Sequence, residues 1–178
     1  MKKNEEKTNV IRILEQNKIN FKVYNYINST AISGTEVADY LGEDYNIVFK
    51  TLVTIGKSGN HYVFLVPVNK ELDLKKAAIV VEEKSIEMIK SKELLPLTGY
   101  IHGGCSPVGM KKNFTTIIDK SAKQKYTIRL FMQNVQGKNI YRLVYEFNNP
   151  NSVGKQSRTA CRHATDGEEI SSCSSNHC

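Results

Sequence analysis

Two segments separated by one short turn constrain this chain more than any other feature. Ile47-Val-Phe-Lys-Thr-Leu-Val-Thr-Ile55 and His61-Tyr-Val-Phe-Leu-Val-Pro-Val68 are rich in β-branched and aromatic residues, and Gly56-Lys-Ser-Gly-Asn60 between them carries turn chemistry. The spacing predicts a β-hairpin. The near-continuous apolar character of its second strand places that strand centrally in a sheet, since a solvated face would alternate with polar residues. One residue in the hairpin is anomalous. If Phe49 and Val53 share one face, then Val48, Lys50 and Leu52 share the other. A lysine flanked by apolar residues on its own face either reaches past an edge to solvent or projects into a pocket.

The remaining elements alternate irregularly around this hairpin. Thr8 is placed to cap a helix whose apolar stripe is Val10, Ile11, Ile13 and Leu14, ending near Asn17. Residues 19–27 alternate as a strand, with Ile19, Phe21, Val23, Asn25 and Ile27 on one face. Tyr24 and Tyr26 lie on the other, packed on a second layer or lining a cleft. Ser33-Gly-Thr-Glu36 has the form of a capping box, opening a short helix stopped by Gly42. Helices are expected over 72–80 and from Ser85 through Ile89, and a strand from Gly99 into a glycine-rich loop. Thr115-Thr-Ile-Ile-Asp119 is a further strand, and residues 126–132 and 139–147 pair as a last hairpin. This order predicts a mixed α/β, or α+β, domain rather than a doubly wound parallel sheet.

Composition narrows the class. At 178 residues the chain suits one domain with a real core. No run approaches the roughly 18 apolar residues of a membrane span. The charged start Met-Lys-Lys-Asn-Glu-Glu-Lys lacks the apolar region of a secretory signal, so a cytoplasmic location is expected. The net charge of +7 suits an RNA or nucleotide partner, or simply a solvated basic surface. Of that excess, +3 falls in residues 1–122 and +4 in 123–178, so bulk charge supports an RNA partner only weakly.

Gly103-Gly-Cys-Ser-Pro-Val-Gly109 is the most distinctive loop. Its glycines let backbone N–H groups approach a carboxylate, phosphate or ester carbonyl, although a purely structural turn has the same composition. Neither a P-loop nor a dinucleotide fingerprint is present. Cys105 with His102 three residues earlier suggests a thiol nucleophile, against which stands a small apolar filler. Near the end, Cys161, His163, Cys173, His177 and Cys178 offer metal-ligand types at a spacing that fits no zinc pattern.

Taken in order, Lys18-Ile-Asn-Phe21 with Tyr24-Asn-Tyr26, Val48-Phe-Lys-Thr-Leu-Val53, Glu71-Leu-Asp-Leu-Lys-Lys76, Thr98-Gly-Tyr-Ile-His-Gly-Gly-Cys-Ser-Pro-Val-Gly109 and Thr116-Ile-Ile-Asp119 resemble the YbaK/EbsC family of aminoacyl-tRNA deacylases. That family is related to the editing domain of bacterial prolyl-tRNA synthetases, and the likeness covers about residues 8 to 122. The resemblance implies a single compact domain, a curved mixed sheet flanked by helices, and a pocket for the 3′-terminal aminoacyl-adenosine. It implies deacylation of Cys-tRNA(Pro) and Cys-tRNA(Cys) by trans-editing, in which the substrate's own thiol attacks its ester, with no cofactor and no metal. Lys50 falls on the family's essential lysine and Tyr26 on a tyrosine associated with its site. Gly103, Gly104, Ser106, Pro107 and Gly109 fall on its substrate loop. The implied partners are aminoacyl-tRNA and prolyl-tRNA synthetase, with no membrane. Removal of alanine from tRNA(Pro), or non-catalytic binding of tRNA or nucleotide, are the alternatives.

After Asp119 the likeness fades. Asn134-Val-Gln-Gly-Lys138 stands where a Ser-Gly-Gly loop is expected, and no closing helix follows. The deacylase domain is therefore expected over 1–147, with 123–147 divergent. Residues 148–178, without Leu or aromatics, are expected to be a flexible, atypical tail. A native divergent end and a shifted reading frame both account for this composition.

Overall fold

Each helix begins or ends where a local signal demands it. In the computed structural model, which describes residues 8–31, 33–125, 127–136 and 139–148, α1 spans Asn9–Gln16 and the Thr8 side chain accepts the Ile11 N–H. Helix α2, Gly34–Leu41, opens on the expected capping box, in which Ser33 and Glu36 each accept the other's backbone N–H. Gly42 ends it in the left-handed conformation that glycine adopts without strain (φ 67°). Asp73 caps α3, Leu74–Val80, by accepting the N–H groups of Lys75 and Lys76.

Among the described residues, seven strands form one mixed sheet: β1 (Phe21–Asn25), β2 (Val48–Gly56), β3 (His61–Pro67), β4 (Ile86–Met88), β5 (Thr115–Ile118), β6 (Thr127–Gln136) and β7 (Asn139–Asn148). Their order is β1-β7-β6-β2-β3-β5, with β4 paired to the far end of β2. The 47–68 hairpin pairs antiparallel from Phe49↔Pro67 to Ile55↔His61. Its second strand lies inside the sheet, between β2 and the parallel β5. The last hairpin forms as expected, and β7 joins it to β1. Arg129 of β6 pairs with Glu43 just beyond α2 and lies 5.6 Å from the Tyr24 ring centre, which ties this hairpin to the first half of the chain.

Both faces of the central strands are covered. On one, Val48 packs with Val37 and Ala38 of α2, and Leu52 with Phe64 and Ala77 of α3. On the other, Val53 packs with Val10 and Leu14 of α1 and with Tyr100, while Phe49 meets Ala122 and Leu130. In β1 the tyrosine side proves to be the inner one. Tyr26, just after the strand, is 2% exposed, whereas Val23 and Ile27 are 38% and 49% exposed.

Three local expectations fail. Residues 86–88 are a strand, not a helix, because they pair with Thr54–Gly56 and so satisfy backbone groups that β2 would otherwise leave open. A helix the sequence did not suggest, α4 (Ser91–Thr98), follows; Pro96 inside it disguises it, since proline is disfavoured in helix interiors. Gly99 is the left-handed C-cap of α4 (φ 87°), so 99–102 enter the loop as irregular chain rather than as a strand. The expected tail lies outside the described residues beyond Asn148, which ends β7, and so do Cys161, His163, Cys173, His177 and Cys178. None of the described helices is long and apolar enough to cross a membrane.

Candidate functional site

The site begins as a defect in strand pairing. One edge of β2 is matched by β3 along nearly its whole length. The other edge is matched by β6 at Val48 and Phe49, and by β4 from Thr54 to Gly56. Between them, Lys50 to Val53 have no partner strand on that side among the described residues. Val48 accepts the Val68 N–H and Gly56 donates to Asn60, so the even-numbered residues of β2 turn their amides toward β3. By the same alternation Thr51 and Val53 turn theirs to the open edge, where the Val53 carbonyl accepts the Ile89 N–H.

A cavity of about 620 Å³ occupies this seam, a volume typical of small-molecule sites. Lys50 to Val53 form one wall, and Ser33–Thr35 at the start of α2 and Ser91 at the start of α4 form others. His102 to Cys105 close the opposite side. Two helix N-termini thus open onto it, adding partial positive charge to that of Lys50. The Thr51 hydroxyl, beside the cavity, is buried without a hydrogen-bond partner among the described residues. An unpaired buried hydroxyl is costly, and one beside a cavity can be satisfied by a polar occupant.

Of the two placements its sequence context allowed, Lys50 takes the pocket. Its stem is screened by the sheet, leaving the side chain 18% exposed, and its ammonium reaches the cavity, 3.2 Å from Glu71 Oε1. Glu71 lies beyond the end of β3 and lines the same cavity. Glu71 opens the Glu71–Lys76 segment that carries part of the family resemblance, but nothing in that segment gives it a role at the site; only the fold places it beside the lysine.

The glycine loop is held from behind. The Tyr100 hydroxyl donates to the Val108 carbonyl, the Ser106 hydroxyl accepts the Val108 N–H, and Asn9 of α1 donates to Gly109 O at 3.2 Å. A Cβ at Gly109, where φ is +75°, would come within 3.0 Å of Asn9 and 3.2 Å of Ile13. Gly109 is thus needed for close packing on α1. The Gly104 N–H donates to Ile101 O at 3.3 Å, which closes a turn and removes that amide from any ring of free donors.

Of the residues singled out from sequence, Lys50, Gly103 and Gly104 line the cavity. Tyr26, Ser106, Pro107 and Gly109 do not. Ser106 is buried, and Tyr26 sits in the core cluster with Val48 and Val68, of which Val68 reaches the cavity.

Cys105 does line the cavity, as a filler and not as a nucleophile. Burial pushes its thiol up to about 12, against a smaller opposing hydrogen bond from Thr98. At pH 8 its thiolate fraction is on the order of a thousandfold below that of a free cysteine. Iodoacetamide on the native protein at pH 8, followed by peptide mass mapping, is expected to leave Cys105 unmodified; modification at the rate of a free thiol would contradict this environment.

Known proteins resemble this chain in sequence and in fold. Residues 30–134 match the model of the aminoacyl-tRNA editing domain. A protein of Enterococcus faecalis, named as a Cys-tRNA(Pro)/Cys-tRNA(Cys) deacylase (EbsC), is 44% identical over 124 residues, covering 69% of this chain and 76% of that protein. A proline–tRNA ligase of Thermosipho melanesiensis is 33% identical over 88 residues, 49% of this chain but 15% of the ligase. A solved structure described as a trans-editing enzyme for prolyl-tRNA synthetase superimposes with a TM-score of 0.62 at 24% identity, covering 80% of this chain and 87% of its own.

Proposed function

This chain belongs to the aminoacyl-tRNA editing-domain family, and on that premise we propose that it is a trans-editing deacylase that removes cysteine from mischarged tRNA(Pro), and from tRNA(Cys). The observation that carries this reading is Lys50 in the seam cavity: one cation, sheltered from water, at a break in the sheet large enough for a small aminoacyl ester and its ribose. The 44% identical relative bears the name of the same reaction.

The chemistry needs little from the protein beyond placement. Lys50 donates to the ester carbonyl and stabilises the negative charge that grows on its oxygen as the carbonyl is attacked. The attacking group is the cysteine substrate's own thiol. Its sulfur bonds to the carbonyl carbon, the bond from that carbon to the ribose oxygen breaks, and the thiol proton ends on the ribose oxygen. The products are a thiolactone, which water opens to cysteine, and uncharged tRNA. Holding thiol and ester together in the cavity removes much of the entropic barrier to this step. Gly103 and Gly104, without side chains, let the ester approach the loop wall. Ser106 and Gly109 hold that loop in place, while Tyr26 packs in the core beside Val68 of the cavity lining.

The partner is the terminal aminoacyl-adenosine of a tRNA, in the cytoplasm where charged tRNA is found. A domain of this size, assigned to 1–147 with 148–178 as a tail, has little surface for reading a whole tRNA. Prolyl-tRNA synthetase is accordingly the partner that presents tRNA(Pro), in line with the partial likeness to a proline–tRNA ligase.

Deacylation of tRNA(Pro) charged with cysteine, serine or alanine tests the reading. Cysteine is expected to be released at least about tenfold faster than serine, whose hydroxyl is a poorer nucleophile than a thiol. Equal rates for cysteine and serine would exclude thiol assistance, and faster release of alanine would assign the chain to the sister reaction.

A further inference from the structure

We infer that Glu71 receives the α-ammonium group of the aminoacyl ester while Lys50 faces its carbonyl, so that the cavity selects free aminoacyl-tRNA over N-acylated forms. This rests on the deacylase reading above.

The ion pair between the two residues is lopsided. Lys50 is 18% exposed and Glu71 94%, although their charged atoms are 3.2 Å apart. Such an exposed carboxylate adds little to stability, and no other hydrogen bond or ion pair holds it among the described residues. It sits at the cavity mouth, beside the lysine, free to exchange partners.

An aminoacyl ester presents the complementary pattern. Its carbonyl oxygen is electron-rich, and the adjacent carbon bears an ammonium group with a full positive charge. A cavity supplied with Lys50 and two helix N-termini alone would draw in the carbonyl and repel the ammonium. A carboxylate 3.2 Å from the lysine resolves the conflict, because the two protein charges are spaced like the two substrate groups they meet. When substrate enters, the Glu71 carboxylate exchanges the Lys50 ammonium for the substrate's, and Lys50 is released to the carbonyl. An N-acylated amino acid, as in a peptidyl-tRNA, has no such cation and leaves Glu71 on Lys50.

The test is a two-by-two comparison of Cys-tRNA(Pro) and N-acetyl-Cys-tRNA(Pro) with the wild-type chain and Glu71→Gln. Acetylation keeps the thiol and ester but removes the charge, and its effect on intrinsic ester reactivity cancels between the two proteins. Wild type is expected to favour the free amine about two- to fivefold more than Glu71→Gln does, the range of a solvent-exposed ion pair. Glu71→Asp, which keeps the charge, should retain part of the preference. Equal slowing of both substrates by Glu71→Gln would mean that Glu71 only sets the position of Lys50, and would overturn the inference. So would a wild type that cleaves both substrates equally, while leaving the deacylase reading intact. A wild type that cleaves neither would remove that reading and this one together.

Discussion

Lys50→Ala is expected to lower kcat/KM for Cys-tRNA(Pro) by about a hundred- to a thousandfold, the cost of removing one preorganised donor from a developing oxyanion. The fold should survive the change. Lys50 lies between Val48 and Leu52 on a strand whose opposite edge is fully paired to β3, so the backbone does not depend on its side chain. The ion pair lost leaves behind Glu71, whose carboxylate is already almost wholly solvated and suffers no uncompensated burial. The far-UV spectrum and unfolding midpoint of the variant should therefore match the wild type. A folded Lys50→Ala variant with wild-type activity would remove Lys50 from the chemistry. A variant that unfolds would show that the lysine stem, not its charge, is what β2 needs.

Tyr26→Ala is expected to do the reverse, acting on stability first. The ring is among the largest fully enclosed side chains and packs with Ala31, Val37, Ala38, Val48 and Val68. Truncating an aromatic in such a setting costs about 3–5 kcal/mol. In a domain of this size that lowers the unfolding midpoint by roughly 10 °C. Tyr26→Phe separates packing from chemistry, because it keeps the ring and removes the hydroxyl. Since Tyr26 stands behind Val68 rather than on the cavity wall, Tyr26→Phe should deacylate Cys-tRNA(Pro) within about threefold of wild type. A Phe variant with native stability and a loss of a hundredfold would place the phenol on the substrate after all.

What sequence revealed of this molecule follows the range of the forces involved. The Ser33–Glu36 capping box, the Gly42 stop and the five-residue turn at 56–60 are set by neighbours a few residues apart, and each forms as its residues imply. Ile86–Met88 is different. Nothing local prefers a strand there, and the segment extends because the end of β2 offers it hydrogen bonds across some thirty positions of chain. Helix α4 was hidden by Pro96 and by lysines around its start, where no side chain caps the helix.

The candidate site divides along the same line. Lys50 stood out because a charge within an apolar strand needs an explanation, and Gly103-Gly104 because few residues tolerate that loop. The seam that gives them a purpose was invisible. It exists because β6 leaves β2 after Phe49 and β4 joins it only at Thr54, a consequence of two long-range pairings that no motif encodes. Glu71 heads a segment that carries the family resemblance, yet its place beside the lysine exists only in the folded chain. Cys105 and His102 formed an attractive pair on paper, and burial of the thiol removes the chemistry that pairing suggested.

The most direct measurement of the proposed reaction is the rate at which the full chain releases cysteine from Cys-tRNA(Pro), set against the spontaneous hydrolysis of the same ester and against Lys50→Ala. The expected result is strong acceleration by the wild type and a rate near the spontaneous one for the variant. No acceleration by the wild type, or equal acceleration by both proteins, would contradict it.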